Sequence, residues 1–246
     1  MKIIGLIPAR YHSSRLPGKP LLEICGKPMV DWVYEHCKEV KEFNEIYVLT
    51  EDEKIFNHCR FNNIPVLMTS DEHITHVDRV HEISKTLKAD YYVVVCGDEP
   101  LIRPAVIEQI IPNKVINDKP YVANLCRYFS DPSEVIDPSK IKVYTNKDDE
   151  IILLTRSTVP FPYKRNDFKY KKIIGVECYN KVALDLFKQL EKGELEIIED
   201  VTLQRYLENN IKMKCSLVDC DSFSVNTERD LEKVREMFKE KLNEKS

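Results

Sequence analysis

Three cationic side chains, Arg10, Arg15 and Lys19, lie in one short segment, LIPARYHSSRLPGKPL (6–21), which begins as an apolar strand. Cations this close together repel one another unless an anion lies among them. The backbone N–H groups of a turn and the side chains of arginine and lysine are groups that bind phosphate. We therefore predict that a polyphosphate binds to this loop. The alternative is that Arg10 and Lys19 are solvated surface charges.

A second candidate site is the acidic segment GDEP (97–100), which follows a run of apolar residues from Tyr91. A carboxylate at the end of a strand can bind Mg²⁺, which ligates carboxylate and phosphate oxygens together. With the basic loop, Asp98 predicts a site for a magnesium nucleotide. The alternative is that Asp98 only caps a turn before Pro100.

The elements that must position these groups alternate between strand and helix periodicity. Apolar runs predict strands, and residues at helical spacing between them predict helices that begin at Pro28 and span 52–61 and 77–87. The predicted strands are 2–7, 45–50, 64–69 and 91–97. This alternation predicts an α/β fold with a mostly parallel central sheet and helices on both faces. Ligands of such sheets bind beyond the carboxyl ends of the strands, where both candidate sites lie.

After residue 120 the alternation becomes irregular. Strands are predicted within 120–128, 141–145, 150–155 and 171–179, and helices at 181–191, near 198–209 and from Thr227. Thr227 and Asp230 have the spacing of a capping box. We predict a single domain over 1–246, with a nucleotide-binding half at about 1–120 and a mixed-strand half at about 121–246.

Composition excludes several classes of function. The 246-residue chain has a formal net charge of −4, so a local basic patch suits a small anionic substrate better than a nucleic acid. The first apolar run is too short for a signal peptide or a membrane span. The eight cysteines lack a disulfide or zinc spacing, which predicts a cytoplasmic protein with reduced, mostly buried thiols. Neither the Walker A motif nor the dinucleotide fingerprint is present, which disfavours kinases and dehydrogenases.

Four segments resemble a known family: IPARYHSSRLPGKPL (7–21), GKPM (26–29), GDEP (97–100) and VNTERDLEKVRE (225–236). Their order and spacing are similar to those of the CMP-Kdo synthetases, the 3-deoxy-manno-octulosonate (Kdo) cytidylyltransferases. The resemblance implies a Rossmann-like nucleotidyltransferase domain that uses CTP and Mg²⁺ to activate a sugar acid for lipopolysaccharide or capsule, releasing pyrophosphate. It also implies a homodimer formed through the second half of the chain, which would bind the acceptor.

The resemblance also implies roles for individual residues. Arg10 and Lys19 would hold the triphosphate and take part in catalysis, and Asp98 would bind Mg²⁺. The other residues implied at the nucleotide are Ala9, Ser14 and Arg15 in the loop and Asp78 and Arg79 at the base; those implied at the acceptor are Arg156, Glu196, Glu199 and Arg205. Asn226 stands where the family has a second metal-binding aspartate, so it is a candidate ligand or a residue that only precedes the last helix.

The departures from the family pattern concentrate on the acceptor side. An S-G-T-[DE]-R pattern becomes THVDR (75–79), and an H-x-G-x-Y pattern becomes Ile173, Gly175 and Glu177. Cys96 replaces a glutamine, and Thr202 and Leu203 replace a glutamate and a glutamine. Losing several polar contacts together would cost each unpaired partner about 1–3 kcal/mol. We therefore predict an acceptor other than ordinary Kdo, such as an amino- or otherwise modified ulosonic acid, or another acidic or phosphorylated acceptor.

Alternatives remain open at this stage. The chain is either a cytidylyltransferase or a homologue that binds a nucleotide without turnover. Because the segment implied at the base, THVDR (75–79), is altered, a nucleotide other than CTP is a further alternative. Glu196 and Glu199 also suit the start of a helix, where acidic side chains interact favourably with the helix dipole. His76 is interpreted as a packing residue under the helix that follows it.

Overall fold

The computed structural model describes residues 1–13 and 15–243. The strands are β1 (Ile3–Pro8), β2 (Glu23–Ile24), β3 (Lys27–Pro28), β4 (Glu45–Thr50), β5 (Val66–Met68), β6 (Tyr91–Val95), β7 (Val122–Tyr128), β8 (Lys142–Thr145), β9 (Ile151–Thr155), β10 (Lys171–Tyr179) and β11 (Lys214–Leu217). The helices are α1 (Met29–Lys38), α2 (Glu53–Phe61), α3 (His76–Thr86), α4 (Pro104–Ile107), α5 (Lys181–Gln189), α6 (Glu194–Glu199), α7 (Gln204–Glu208) and α8 (Glu228–Asn243).

One large sheet organises the chain, with strand order β11-β7-β10-β6-β1-β4-β5. The strands β6, β1, β4 and β5 run parallel, whereas β10 runs antiparallel to both of its neighbours, β6 and β7. The strands β8 and β9 extend the sheet beside β10 as an antiparallel pair. The mostly parallel central sheet is therefore confirmed, and its mixed part comes from the second half of the chain.

Alternate residues of the central strand β1 serve two different cores, because successive side chains of a strand point to opposite faces. Ile3 and Ile7 pack with buried residues of α1, α2 and α4 on one face. Ile4 and Leu6 pack with buried residues of α3, α5 and α7 on the other. Helices thus cover both faces, as predicted.

The region 198–209 differs from the prediction of one helix. It contains the end of α6 and the whole of α7, which are separated because Asp200 adopts a left-handed conformation with φ 49°. A helix cannot continue through such a residue. The strand β11 was not predicted, because its four residues, KCSL, are too few to show a clear alternation.

The cysteines fit the prediction of buried, unpaired thiols. All eight are free, and six of them are buried, while Cys25 is exposed and Cys96 is half-buried beside the site described next. Over residues 1–13 and 15–243, none of the helices has the length and apolar character needed to cross a bilayer.

Candidate active site

Two adjoining cavities lie at the carboxyl ends of β1 and β6. The first, of about 840 Å³, is lined by the basic loop and is called the loop cavity; Ala9, Arg10, Arg15, Lys19 and Arg79 are among its lining residues. The second, of about 320 Å³, lies against β10 and is called the inner cavity; its lining includes Lys140, Lys172, Gly175, Glu177 and Thr202. The two cavities share Arg15, His76, Cys96, Asp98, Arg156, Asp200 and Asn226. These shared residues surround the position where ligands in the two cavities would meet.

The basic loop turns sharply at Gly18, whose φ of 67° favours glycine. The N–H of Gly18 donates to the carbonyl of Tyr11 at 2.9 Å, which closes the loop on itself. A 3-10 helix, Lys19–Leu21, follows directly. The turn therefore brings Lys19 back toward the end of the first strand.

Lys19 joins the two sites that the sequence predicts separately. Its Nζ lies 2.7 Å from Asp98 Oδ2 and donates to the carbonyl of Val225 at 3.0 Å. Nearby, Nη2 of Arg15 donates to Oδ1 of Asn226 at 3.2 Å. The loop, the end of β6 and the segment before α8 thus meet at one place, so Asn226 lies in the cleft together with Asp98.

Arg10 is exposed on the wall of the loop cavity. Among residues 1–13 and 15–243, none forms a hydrogen bond or an ion pair with its guanidinium. An arginine that the protein does not neutralise is suited to bind an anionic ligand. Ala9 is buried in the same wall. The predicted nucleotide contact Ser14 lies outside the described residues.

Glu99 anchors the turn that carries Asp98. Its carboxylate is buried and accepts hydrogen bonds from the Gly175 N–H at 3.1 Å and from the hydroxyls of Ser222 and Ser224. Burial raises the pKa of Glu99 and the charge of Asp98 raises it further, against the lowering effect of these donors. Sequence reasoning missed this role, since Ser222 and Ser224 lie more than a hundred residues away.

Asp78 and Arg79 have different surroundings. The carboxylate of Asp78 accepts from Thr75 Oγ1 at 2.7 Å in a capping box and pairs with Lys188 Nζ at 2.8 Å. Burial opposes ionisation, but Lys188 and Thr75 lower the pKa of Asp78 overall. Arg79 is buried, pairs with Glu51 at 2.8 Å and lines the loop cavity. Arg79 therefore reaches the cavity, while Asp78 is engaged in holding α3.

Arg156 lies where the two cavities meet, and its guanidinium is already occupied by the protein. It donates to the carbonyls of Pro138 at 2.8 Å, Asp200 at 3.0 Å and Glu199. The Glu199 carboxylate in turn accepts from Thr155 Oγ1 and from the Arg156 N–H, each at 2.6 Å. Together these bonds tie the end of β9 to the end of α6 and shape the cleft.

Glu196 and Arg205 form a buried ion pair, with Arg205 Nη2 at 2.6 Å and Nε at 2.8 Å from the two carboxylate oxygens. Arg205 is not among the residues that line the loop cavity or the inner cavity. The acceptor-binding roles of both residues stay predictions, and this geometry favours a structural role.

Two lysines of the inner cavity were missed by sequence reasoning. Lys172 is buried, and its Nζ lies 3.3 Å from Glu134 Oε2. Burial and the nearby charge of Arg127 lower the pKa of Lys172. Lys140, with a side chain only 7% exposed, has its nearest carboxylate oxygen on Asp230 at 3.7 Å. The feature of the sequence that could have indicated these two lysines is a lysine within a short, otherwise apolar strand pattern, as in SKIKVY and KKIIGV.

Lys140 is the least satisfied of these buried cations. In the part of the chain that the structure describes, its Nζ has no hydrogen-bond acceptor, and Asp230 uses its other oxygen to cap α8. The long ion pair with Asp230 compensates this buried cation only weakly, so the inner cavity suits an anion.

The oxygen atoms of the cleft fit Mg²⁺ as a partial coordination set rather than a complete one. Within residues 1–13 and 15–243, no group of three or more acidic, histidine or cysteine side chains could hold a metal by itself. Mg²⁺ commonly binds one or two carboxylates and completes its coordination with phosphates and water. Asp98 and the amide oxygen of Asn226 supply such a partial set in the cleft.

Comparison with known proteins agrees with this arrangement. The family model described as Cytidylyltransferase matches residues 4–215. A 3-deoxy-manno-octulosonate cytidylyltransferase of Escherichia coli is 34% identical over 99% of this chain and 98% of its own length. The corresponding protein of Koribacter versatilis is 35% identical over 97% of this chain and 91% of its own length.

Solved structures give the same result. A CMP:2-keto-3-deoxy-manno-octonic acid synthetase complexed with CTP superposes with a TM-score of 0.90 and 33% identity, over 98% of this chain and 100% of that one. A glucose-1-phosphate thymidylyltransferase of Bacillus anthracis, at 18% identity and a TM-score of 0.67, covers 96% of this chain and 94% of its own and shares the fold. The chain belongs to the cytidylyltransferase family, among the 3-deoxy-manno-octulosonate cytidylyltransferases.

Proposed function

We propose that this protein transfers CMP from CTP to an acidic sugar of the Kdo type and releases pyrophosphate. The observation that carries the proposal is that a basic cavity and a second cavity lined by two buried lysines meet at Asp98. In this reaction the acceptor hydroxyl oxygen forms a bond to the α-phosphorus, and the bond from that phosphorus to pyrophosphate breaks. The hydroxyl proton leaves to solvent or to a base.

The loop cavity would take the triphosphate of CTP. Arg10 is uncommitted, Arg15 is held by one hydrogen bond to Asn226, and Lys19 is held by Asp98 and by the carbonyl of Val225. Phosphate oxygens can replace these contacts at the rim. Positive groups fixed around a phosphoryl centre stabilise the charge that develops on its oxygens during transfer. Arg79 lines the same cavity and is proposed to stand near the base, with Asp78 holding the start of its helix.

We propose that Mg²⁺ binds with the nucleotide, held by Asp98 and by the amide oxygen of Asn226. When bound, the ion neutralises phosphate charge and orients phosphate and acceptor oxygens. Lys19 then transfers from the carboxylate of Asp98 to the phosphates. Because Asn226 brings no negative charge, we expect one metal ion rather than two.

The acceptor would occupy the inner cavity. Lys140 and Lys172 supply positive charge there for an acid, which fits the names of the related synthetases. The polar groups at the side of this cavity differ from the family pattern at Ile173 and Glu177. This difference supports a modified ulosonic acid, such as an amino sugar acid, as the preferred acceptor, for use in lipopolysaccharide or capsule.

An assay of pyrophosphate release tests the proposal. CTP and Mg²⁺ are supplied with a panel that contains Kdo, amino-substituted ulosonic acids and neutral sugars, and UTP, GTP and ATP replace CTP in parallel reactions. We expect release only with CTP and an acid, and more with a modified acid than with Kdo. Tight CTP binding without release from any acid contradicts the proposal and favours a nucleotide-binding protein. Full turnover with Kdo contradicts the altered specificity alone.

A Lys140→Met variant tests the acceptor half in the same assay. Removing a hydrogen bond to a charged group costs about 1.5–3 kcal/mol, so we expect the acceptor KM to rise about 10- to 100-fold while the CTP KM is unchanged. Lys212→Met is the matched control, since Lys212 is 79% exposed and pairs with Glu150. An unchanged acceptor KM in Lys140→Met would remove Lys140 from the acceptor site.

We further infer that the protein works as a homodimer in the cytoplasm. Free, buried cysteines suit a reducing compartment. The second half of the chain exposes large apolar side chains, among them Ile136, Phe161 and Tyr163 at about four-fifths exposure each. Large exposed apolar side chains are typical of a surface that another chain covers.

Sedimentation equilibrium tests the dimer. We expect a mass twice that of the chain, and a monomer when Phe161→Ser and Tyr163→Ser are combined. Phe61→Ser is the control, because Phe61 is equally exposed but belongs to the first half of the chain. A monomeric wild-type protein at micromolar concentration would refute the dimer.

A further inference from the structure

His76, the first residue of α3, lies at the boundary between the two cavities. It lines the loop cavity, the inner cavity and a smaller adjoining cavity of about 370 Å³. Its side chain is 26% exposed, so part of the ring faces the cleft. A side chain at this boundary can reach a ligand in either cavity.

One ring nitrogen of His76 is fixed by the protein and the other is not. Nε2 lies 2.7 Å from Glu177 Oε2, and the hydroxyl of Tyr179 donates to the same oxygen at 2.5 Å. Glu177 is buried, so these two donors hold its carboxylate in place. Within the described ranges, no residue forms a hydrogen bond with Nδ1 of His76. The free polar atom of the ring is therefore Nδ1.

The surrounding charges favour the protonated ring. Burial lowers the pKa of His76 and Arg10 lowers it further, but Glu177 and Asp78 outweigh them and the pKa is raised overall. Burial raises the pKa of Glu177, yet the contact with His76 lowers it overall. An imidazolium held this way presents an Nδ1–H donor and a positive charge to the cleft.

His76 and Glu177 are also two of the positions that depart from the family pattern. They lie 101 residues apart in sequence, on α3 and β10, and the structure brings them into direct contact. The contact pairs a buried glutamate with a ring that can carry a positive charge, and the glutamate orients that ring at the boundary. The two substitutions form one unit.

We propose that His76 is a specificity-determining contact for the acceptor, donating from Nδ1 to its carboxylate, with Glu177 and Tyr179 as positioning residues. This inference rests on the proposed transfer to an acidic acceptor.

Two substitutions of His76 by amide side chains distinguish the roles of its two ring nitrogens. The amide of glutamine reaches the position of Nε2 and keeps the contact with Glu177, whereas the amide of asparagine reaches the position of Nδ1. For His76→Gln we expect the acceptor KM to rise about 10- to 100-fold, with kcat and the CTP KM within about twofold. For His76→Asn we expect a smaller rise, since a neutral donor remains in the cleft.

A Glu177→Gln variant tests the positioning role through pH. Without the carboxylate, the pKa of His76 falls toward its ordinary value of about 6.5. The positive charge of the ring is then lost as pH rises through that value. We expect the acceptor KM of Glu177→Gln to rise between pH 6 and pH 8, whereas the wild-type KM rises only at higher pH. A purely structural role would not produce this shift.

His73→Gln is the matched control, because His73 also pairs with a glutamate, Glu82, at 2.5 Å but lines neither cavity. Calorimetric binding of an amino-substituted ulosonic acid to the CTP-loaded protein, with Kdo in a parallel titration, provides a readout that is independent of turnover. Weaker binding in His76→Gln than in wild type and His73→Gln supports the inference even if no pyrophosphate is released. Binding that is equal in wild type and His76→Gln, or absent from both, overturns it.

Discussion

Replacing Asp98 with asparagine is expected to lower the rate of pyrophosphate release by about 10²–10³-fold at saturating CTP and acceptor, the loss typical of one electrostatic group at a reacting centre. The substitution keeps the shape of the side chain and removes its charge. Asp98 lines both cavities, is half-buried and is the carboxylate that Lys19 contacts. The variant therefore loses a metal ligand at the point where donor and acceptor meet.

The sign of the effect on nucleotide binding distinguishes this role from a structural one. Without Mg²⁺, the variant should bind CTP as tightly as wild type or more tightly, because a negative charge near the phosphates is gone and Lys19 is released. With Mg²⁺, the metal concentration needed for half-maximal rate should rise. Both quantities are obtained from calorimetry and from a magnesium titration of the rate.

Asp118→Asn is the control, since Asp118 is exposed and lies outside both cavities. It should match wild type in both measurements. If Asp98→Asn retains more than about a third of the wild-type rate with an unchanged magnesium requirement, Asp98 is a turn-capping residue and the proposed metal site is wrong.

The parts of this site that sequence predicts are those fixed by local chain order. Arg10 and Asp98 each lie within three residues of the end of an apolar strand, and Lys19 lies further along the loop that follows the first strand. The carboxyl ends of parallel strands meet at one edge of a sheet. The alternation of strands and helices was enough to place that edge. The contact between Lys19 and Asp98 is a consequence of this rule and of the turn at Gly18.

The parts that sequence does not predict depend on partners far away in the chain. Two of the hydrogen-bond donors to Glu99, Ser222 and Ser224, come from the segment before α8. The partner of His76 lies on β10, which runs antiparallel to its neighbour β6. The sequence around His76 favours the interpretation of a packing residue, because it gives no indication that a distant carboxylate, Glu177, contacts the ring. Residue type also fails to separate an arginine that is free for a ligand from one that the protein engages: Arg156 donates to backbone carbonyls, and Arg205 pairs with a buried carboxylate.

Replacing Arg205 with methionine is expected to destabilise the protein by about 3–5 kcal/mol, because Glu196 is left as a buried charge without its partner. Both side chains are buried, and the guanidinium also stacks 3.9 Å from the ring centroid of Phe187. At about 2–4 °C per kcal/mol for a chain of this length, the melting temperature should fall by about 6–20 °C. The acceptor KM, measured below the transition, should not change.

Two further variants show whether charge or ligand binding is responsible. Adding Glu196→Leu to Arg205→Met removes both charges and should recover part of the lost stability, since a buried pair can be replaced by apolar groups at little cost. Arg165→Met breaks an exposed pair with Asp167 and should leave the melting temperature unchanged. The opposite pattern, an unchanged melting temperature and a higher acceptor KM in Arg205→Met, would show that Arg205 binds the acceptor as its motif predicts. The structure favours the first outcome, because a guanidinium bonded through two nitrogens to one buried carboxylate has little capacity left for a ligand.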